Sequence, residues 1–170
     1  MNNKQLNEDV RKSDLLTNKG KGNVPARDDW QTPQWLFNKL DKQYGFEIDC
    51  CAESHNTKCE VWYNDFLKYD NAFVGEIHWI NPPFSKAKEI LEHFFTVVKN
   101  GVGIYRCDNM ETKVWQEIIL KKASWVFIPK GRINYEGKKG NGSVFASALF
   151  GLNVPEPIGL DGTVLLIAKK

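Results

Sequence analysis

The nine residues from Ile77 to Ser85, IHWINPPFS, constrain the fold of this chain more than any other stretch. An apolar run that is typical of a β-strand leads directly into Asn81-Pro82-Pro83-Phe84. Each proline fixes its own φ, lacks an N–H donor and restricts the residue before it to extended conformations. The sequence therefore predicts a strand that ends in a stiff turn, with Asn81 and Phe84 held in fixed positions.

The groups on this turn suit the recognition of a nucleobase amine. The Asn81 side-chain oxygen and the Pro82 carbonyl can both accept hydrogen bonds from one exocyclic amine, and the Phe84 ring can stack on a base. Such an amine is a weak nucleophile because its lone pair is delocalised into the ring. Two acceptors on its hydrogens favour a more tetrahedral nitrogen, so the turn suits methylation of an amine without a strong base.

Two segments upstream of the turn predict a ligand site. Thr32-Pro33 is a typical helix start, with Thr32 as the N-cap and Pro33 as the first helical residue. The segment from Phe46 to Cys51 is predicted to be a strand that ends at Asp49. Rossmann-like α/β sheets bind ligands outside the carboxyl ends of their strands, so Asp49 lies where a ligand is expected.

In this order, these segments resemble a known family. Asn81-Pro82-Pro83-Phe84 resembles the [Asp/Asn/Ser]-Pro-Pro-[Tyr/Phe/Trp] signature of S-adenosylmethionine-dependent methyltransferases that act on adenine N6 or cytosine N4. More closely, the chain is similar to the short DNA N-6-adenine methyltransferases carried by bacteriophages and prophages. The segments that carry this likeness are Asp29-Trp30-Gln31-Thr32-Pro33, Asp49-Cys50-Cys51-Ala52, Asn81 to Ser85, and Pro129-Lys130-Gly131-Arg132.

The resemblance implies a Rossmann-like methyltransferase with S-adenosylmethionine as cofactor and double-stranded DNA as partner. The catalytic residues would be Asn81, Pro82, Pro83 and Phe84. The cofactor-binding residues would be Trp30, Thr32, Pro33, Asp49, Cys50, Ala52 and Asn81. Three carboxylates stay open as the group that holds the cofactor ribose, namely Glu53, Glu60 and Asp65. No glycine-rich turn follows Asp49, but that turn mainly admits a pyrophosphate, which S-adenosylmethionine lacks.

The fold is predicted to be one α/β domain over residues 28–170, with a mostly parallel sheet and a C-terminal antiparallel hairpin. A chain of 170 residues that is 42% hydrophobic is long enough for one core and too short for two comfortable domains. Residues 1–27 are polar and lysine-rich, which predicts a flexible arm. The arm is either a solvated tail or a source of positive charge toward DNA.

The cellular setting is expected to be the cytoplasm of a bacterial host. The chain opens with polar residues instead of a signal peptide, and no apolar run approaches the length of a membrane span. The cysteines and His55 are ligand types that zinc uses. Cys50 and Cys51 are adjacent in a predicted strand, however, and would point to opposite faces, so we expect neither a disulfide framework nor a metal.

The candidate DNA contacts lie in the last third of the chain. Ile133 to Tyr135 and Val144 to Leu152 are predicted to form a hairpin around the basic, glycine-rich loop Glu136 to Ser143. Lysine and arginine there can neutralise phosphates, although a solvated loop is the alternative for the two loop lysines. The candidate DNA-binding residues are Lys130, Arg132, Lys138 and Lys139.

The most favoured function is transfer of a methyl group to N6 of an adenine that is flipped out of double-stranded DNA. One alternative keeps the chemistry and changes the acceptor to cytosine N4 or to an amine in RNA or protein. A second is a catalytically silent protein that binds DNA or the cofactor, and a third is an unrelated nucleotide-binding α/β domain. A homodimer is left open, since a second copy would help so small a protein to wrap DNA.

Overall fold

The computed structural model describes residues 28–69, 75–136 and 145–168. Within them, helix α1 is Gln34–Tyr44, helix α2 is Ala87–Val97, and a π-helix at Val114–Ile119 continues into the short helix α3, Leu120–Lys122. Single 3₁₀ turns lie at Phe66–Lys68 and Phe84–Lys86. The strands are β1 Ile48–Asp49, β2 Val61–Trp62, β3 Ile77–Ile80, β4 Asn100–Arg106, β5 Trp125–Pro129, β6 Ser147–Leu152 and β7 Gly162–Leu166.

These strands form one mixed sheet in the order β2-β1-β3-β4-β6-β5-β7. Strands β2, β1, β3 and β4 are parallel neighbours, whereas β6 is antiparallel to both β4 and β5, and β7 is antiparallel to β5. Strands β1 to β5 therefore all point the same way. The prediction of an α/β fold is confirmed, but the sheet is parallel only in its first half and antiparallel in its second.

The predicted C-terminal hairpin has the wrong first strand. Ile133 to Tyr135 does not form a strand, and β6 pairs instead with β4 and β5. In this stretch only Ile133 is fully buried, which leaves no continuous face for sheet pairing, and Glu136 makes an isolated bridge to Gln31. The turn of that hairpin, residues 137–144, and the predicted arm, residues 1–27, lie outside the described residues.

The start of helix α1 also differs from the prediction. The helix begins at Gln34, and the preceding Pro33 occupies the N-cap position without a side-chain cap. The Gln34 N–H donates instead to the carboxylate of Glu136, at 2.8 Å. Thr32 is therefore not the N-cap, because a residue about a hundred positions away in sequence supplies the acceptor. The Thr32 hydroxyl is buried and has no hydrogen-bond partner among the described residues.

Helices cover both faces of the sheet. On one face, the apolar side of α1 packs against alternate residues of β3, β4 and β5, including Trp79 and Ile104. On the other face, α2 and the π-helix pack against Ile80 and Phe150. Adjacent strand residues such as Trp79 and Ile80 enter opposite cores because strand side chains alternate between faces. Among the described residues, the central strands are therefore accessible at their ends and covered on their faces.

Candidate active site

The carboxyl ends of β1 and β3 form the natural ligand site of this sheet. The chain runs from β1 to β2 on one side and then returns to place β3 on the other side of β1. Connections that leave neighbouring strands in opposite directions open a crevice outside their carboxyl ends. Asp49 is the last residue of β1, and Asn81 directly follows β3. Both residues therefore lie at the mouth of this crevice.

Two adjoining cavities occupy the crevice, one of about 280 Å³ and one of about 30 Å³. Together they reach the lower end of the size range of small-molecule sites, which begins at about 300 Å³. Residues that line both of them are Asp28, Asp29, Cys51, Asn56 and Asn81. We refer to the pair as the acidic cavity, for the charges described below.

Most of the predicted cofactor residues meet at this cavity. Trp30, Thr32, Asp49, Ala52 and Asn81 all line it, as does the catalytic candidate Pro83. The remaining candidates do not line it, and they are Pro33, Cys50, Pro82 and Phe84. The glycine-poor turn after Asp49 thus leaves room for a ligand.

A backbone contact orients the amide of Asn81. Its Nδ2 donates a hydrogen bond to the Trp30 carbonyl at 2.8 Å. A side-chain amide has one donor group and one acceptor oxygen, so engaging Nδ2 leaves Oδ1 as the acceptor. Within the described part of the chain, no donor occupies that oxygen. Asn81 therefore presents an acceptor to the cavity that it lines.

The segment from Asp28 to Gln31 lies across the Asn81 turn and is held at both ends. At one end, the Asp28 carboxylate accepts hydrogen bonds from the Ser85 N–H, at 3.0 Å, and from the Ser85 hydroxyl. At the other end, Gln31 pairs with Glu136 through two backbone hydrogen bonds. Between them, the Trp30 carbonyl holds Asn81. This clamping explains how a segment distant in sequence fixes the turn.

The Phe84 ring lies in an aromatic cluster behind the turn. It is only 3% exposed and makes edge contacts with Trp30 and Phe145, at centroid distances of 6.2 and 5.3 Å. Tyr105 covers a further side at 6.0 Å. Stacking of Phe84 on a base therefore stays a prediction, and it requires these rings to move when the base enters.

Asp49 is a buried carboxylate with two backbone donors. It is 3% exposed and accepts hydrogen bonds from the N–H groups of Cys51 and Lys58, at 3.3 and 3.0 Å. Burial raises the pKa of Asp49 to about 6, against the opposing effect of the two hydrogen bonds and the Lys58 charge. Asp49 is consequently ionised at neutral pH and loses its charge in mild acid.

The cavity lining carries more negative than positive charge. Its five carboxylates are Asp28, Asp29, Asp49, Glu53 and Asp65, against the two lysines Lys58 and Lys86. Lys58 is further drawn away by Gln34, at 2.8 Å, and by Glu136, at 3.8 Å. A cation would therefore be favoured in this cavity and a phosphate disfavoured.

The structure distinguishes the three carboxylates that were considered for the cofactor ribose by their position relative to the cavity. Glu53 and Asp65 line the cavity, whereas Glu60 is exposed and does not. Asp65 forms an ion pair with Lys68 at 2.7 Å, while Glu53 has no cationic partner among the described residues. Two carboxylates are thus placed to accept hydrogen bonds from a ligand in the cavity.

The cysteines near Asp49 are kept as thiols. Burial raises the pKa of Cys51, and burial together with the Asp49 charge raises the pKa of Cys59 to about 12. Across residues 28–69, 75–136 and 145–168, no group of three or more His, Cys, Asp or Glu side chains is placed to hold a metal ion. A protonated thiol is a poor nucleophile, so we expect no covalent role for Cys51. Its side chain instead contributes a small apolar surface to the cavity.

Sequence reasoning missed several residues of this site. Asp28 and Ser85 bond to each other across 57 positions, and no local pattern announces such a contact. Ile90 has the helical spacing of a core residue, yet it also lines the cavity. The only available signal was the position of Asp28 two residues before Trp30, a predicted cofactor residue.

The predicted DNA-binding residues lie apart from the acidic cavity. Lys130 and Arg132 directly follow β5, are exposed, and line a separate cavity of about 350 Å³. Because β5 points in the same direction as β1 and β3, this second cavity lies at the same end of the sheet. Lys138 and Lys139 fall outside the described residues.

The mixed α/β sheet, with a cavity at the carboxyl ends of β1 and β3 and an Asn-Pro-Pro-Phe turn beside it, has the general layout of an α/β ligand-binding domain. The chain belongs to the DNA N-6-adenine-methyltransferase (Dam) family, whose family model matches residues 19–150. It is similar to a DNA N-6-adenine-methyltransferase of Haemophilus phage HP1 (strain HP1c1), with 34% identity over 62 residues. That match spans 35% of this chain and 36% of the phage protein. Among the described residues, none of the helices could span a lipid bilayer.

Proposed function

We propose that this protein transfers the methyl group of S-adenosylmethionine to N6 of adenine in double-stranded DNA. The observation that carries the proposal is an acidic cavity that ends at Asn81, whose amide is held by the Trp30 carbonyl. The cavity offers a place for a cationic cofactor, and the turn offers acceptors for an amine. Family membership supports the choice of adenine as the acceptor.

Charge favours S-adenosylmethionine over a phosphorylated nucleotide. The cofactor carries a sulfonium and an ammonium group, which carboxylates attract, whereas a nucleotide phosphate would meet repulsion from the same groups. The parallel strands β2, β1, β3 and β4 between two helix layers suit a Rossmann-like assignment, with the ligand at the point where the connections diverge. Both points count against an unrelated nucleotide-binding domain.

The cavity also contains polar groups that fit the separate parts of the cofactor. We assign the ribose hydroxyls to Glu53 and Asp65. The adenine ring is assigned to the apolar wall of Phe66 and Ile90. The buried Thr32 hydroxyl lacks a described partner and lines the smaller cavity, so we assign it to the methionine end. Pro33 and Cys50 would shape this pocket from behind.

The turn residues would act on the target amine. Asn81 Oδ1 and the Pro82 carbonyl accept its two hydrogens, which directs the nitrogen lone pair toward the cavity. Pro83 keeps the acceptors rigid, so distance and alignment supply most of the acceleration. A bound cofactor would supply an electrophilic methyl group, whose bond to sulfur would break as the bond to N6 forms. The neutral thioether would be the leaving group, and one proton of the amine would pass to solvent. The adenine must leave the base stack to reach the turn, and Phe84 would stack on it once the rings that cover it move.

The deciding experiment combines cofactor binding with analysis of the product. The purified protein is incubated with labelled S-adenosylmethionine and duplex DNA, and the DNA is digested to nucleosides that are identified by mass. N6-methyladenine is the expected product. N4-methylcytosine as the product would show that cytosine, and not adenine, is the acceptor. Tight cofactor binding without any methylated nucleoside would indicate a silent binding protein. Binding of a phosphorylated nucleotide without binding of S-adenosylmethionine would overturn the proposal altogether.

A further inference from the structure

The second cavity at the carboxyl end of the sheet combines an exposed aromatic ring with three cations. Its volume is about 350 Å³, within the range of small-molecule sites. The residues that matter here are Trp35, Lys39, Lys130 and Arg132. We refer to it as the basic cavity. None of these residues lines the acidic cavity.

Trp35 is the unusual member of this group. It lies on the first turn of α1 and is 58% exposed, whereas its neighbour Leu36 is 1% exposed and packs in the core. A single exposed apolar residue is ordinary on a protein surface. An indole that lines a cavity beside three cations is more specific, because a flat ring and positive charge together match a nucleotide.

Opposing charge in the basic cavity is small. Asp161 is the one carboxylate among its described lining residues. The backbone of the same residue also braces the site, because its carbonyl accepts a hydrogen bond from the Lys130 N–H at 2.8 Å. That bond ties the segment before β7 to the turn after β5. Gly131 has a φ of 86°, a left-handed conformation that glycine adopts without strain, and so lets the chain turn between Lys130 and Arg132. Lys130 and Arg132 therefore lie on a braced turn, and Lys39 faces the same cavity from α1.

The distance between the two cavities suits a single DNA substrate. Three inter-strand steps separate β3 from β5 in the sheet, through β4 and β6. At about 4.8 Å per step this is about 14 Å, or about four nucleotides along a duplex strand. A strand whose target adenine is at Asn81 can thus reach the basic cavity a few nucleotides away.

We propose that the basic cavity holds one nucleotide of the DNA substrate, with its base or sugar against the Trp35 ring and its phosphate among the three cations. This inference rests on the proposed function, because it takes DNA as the substrate. It adds Trp35 and Lys39 to the DNA-binding residues and gives the cavity a separate task from cofactor binding. Contacts of this kind position the duplex and are independent of the methyl-transfer step.

The test compares Trp35→Ala with Trp62→Ala, since Trp62 is also exposed, at 41%, but lies on β2 at the far edge of the sheet. Affinity is measured by fluorescence anisotropy with a labelled, mixed-sequence duplex at several salt concentrations. Loss of one stacking contact of about 1–3 kcal/mol predicts a weakening of about 5-fold to about 150-fold for Trp35→Ala. Trp35→Phe should keep most of the affinity, and Trp62→Ala should stay within about twofold of wild type.

Two further measurements keep the outcome clear. Lys39→Ala should lower the slope of log affinity against log salt by about one. Methylation by Trp35→Ala should show a raised KM for DNA with an unchanged kcat. Thermal melting checks that Trp35→Ala leaves the fold intact. If it does not, the DNA affinities of Trp35→Phe and Lys39→Ala provide the test instead.

The inference fails if wild type methylates DNA while Trp35→Ala and Lys39→Ala bind duplex as Trp62→Ala does. It also fails if free mononucleotide binds at this cavity and duplex does not. In contrast, a protein that needs Trp35 to bind duplex but yields no methylated nucleoside would overturn the proposed function and leave this inference standing.

Discussion

The acidic cavity and the basic cavity lie at the same end of one sheet and differ mainly in charge. The acidic cavity follows β1 and β3 and carries five carboxylates, whereas the basic cavity follows β5 and carries three cations. Strand direction sets where both cavities lie, and the loop after each strand sets what each can bind. The formal net charge of +2 conceals this division, because the opposite charges nearly cancel over the chain.

The separation has a chemical purpose in the proposed reaction. A cationic cofactor and a polyanionic substrate must approach within reach of each other without exchanging sites. Carboxylates around one cavity repel phosphates, and cations around the other repel the sulfonium group. Under this proposal the Asn81 turn, which belongs to the acidic cavity, would have to receive a part of the DNA, and a flipped neutral base would be the portion that fits there.

The largest effect on the methylation rate is expected at the Asn81 turn, where the proposed cofactor and the target base would meet. Replacing Asn81 with alanine removes the oriented Oδ1 acceptor, and loss of one such contact to developing charge typically costs about 100-fold or more in rate. Cofactor affinity should change far less, since the amine acceptor acts on the base. Initial rates of labelled methyl transfer, with calorimetry on S-adenosylmethionine, measure both. Asn38→Ala on the exposed side of α1 is the matched control. An undiminished rate in Asn81→Ala would remove this residue from the catalytic assignment.

The next effect distinguishes the three carboxylates considered for the cofactor ribose, which are Glu53, Glu60 and Asp65. Glu53→Gln and Asp65→Asn should each weaken cofactor binding by about tenfold or more, because a hydrogen bond to a charged group contributes about 1.5–3 kcal/mol. Glu60→Gln, outside the cavity, should leave it unchanged. Calorimetric titration of S-adenosylmethionine checks all three. Equal losses in Glu60→Gln would show that general charge, and not a placed contact, holds the cofactor.

A change in cofactor affinity of up to about tenfold per pH unit is expected from the titration of Asp49. Its pKa in the folded chain is about 6, above the ordinary value of 3.8, so folding takes up a proton between these values. Stability should consequently fall as pH rises from about 4 to about 6 and then level off. Cofactor affinity should run the opposite way, since the cation prefers the ionised form, with a fall of up to about tenfold per pH unit below 6.

Asp49→Asn tests both halves of this expectation. The variant carries no charge at this position, so its thermal stability and its cofactor affinity should lose the pH dependence between about 4 and 6. Melting curves and calorimetric titrations over that range give the two profiles. A wild-type affinity that does not change between pH 5 and 7 would show that the Asp49 carboxylate contributes nothing to cofactor binding.

The sequence predicted those parts of the molecule that depend on neighbouring residues. Two prolines act on the chain directly around them, so the strand before Asn81 and its stiff turn were predictable. Asp49 was predictable for the same reason, because it ends an apolar strand. The fully buried side of α1, with Leu36, Phe37 and Leu40, follows from helical spacing alone.

The remaining features depend on contacts between distant residues. The acceptor at the start of α1 is Glu136, 102 positions from Gln34, and so Thr32 was wrongly taken as the N-cap. The strands that pair with β6 could not be predicted from its sequence. All six of its residues are buried, and such an apolar strand would fit any central position in the sheet. The surroundings of Phe84 likewise depend on Trp30 and Phe145. Local patterns give no information about such pairings.

The last effect, a change in the salt dependence of DNA binding, is expected from the cations after β5. The double variant Lys130→Ala/Arg132→Ala should lower the slope of log affinity against log salt by about 1.8, since each phosphate contact contributes about 0.9. Lys121→Ala/Lys122→Ala removes the same charge from α3, on the layer opposite α1, and should leave the slope unchanged. Anisotropy titrations of a duplex at several salt concentrations compare the two. Because both pairs alter the net charge equally, equal slopes would mean that DNA responds to the overall charge, and the contrast between the two cavities would then have no part in DNA binding.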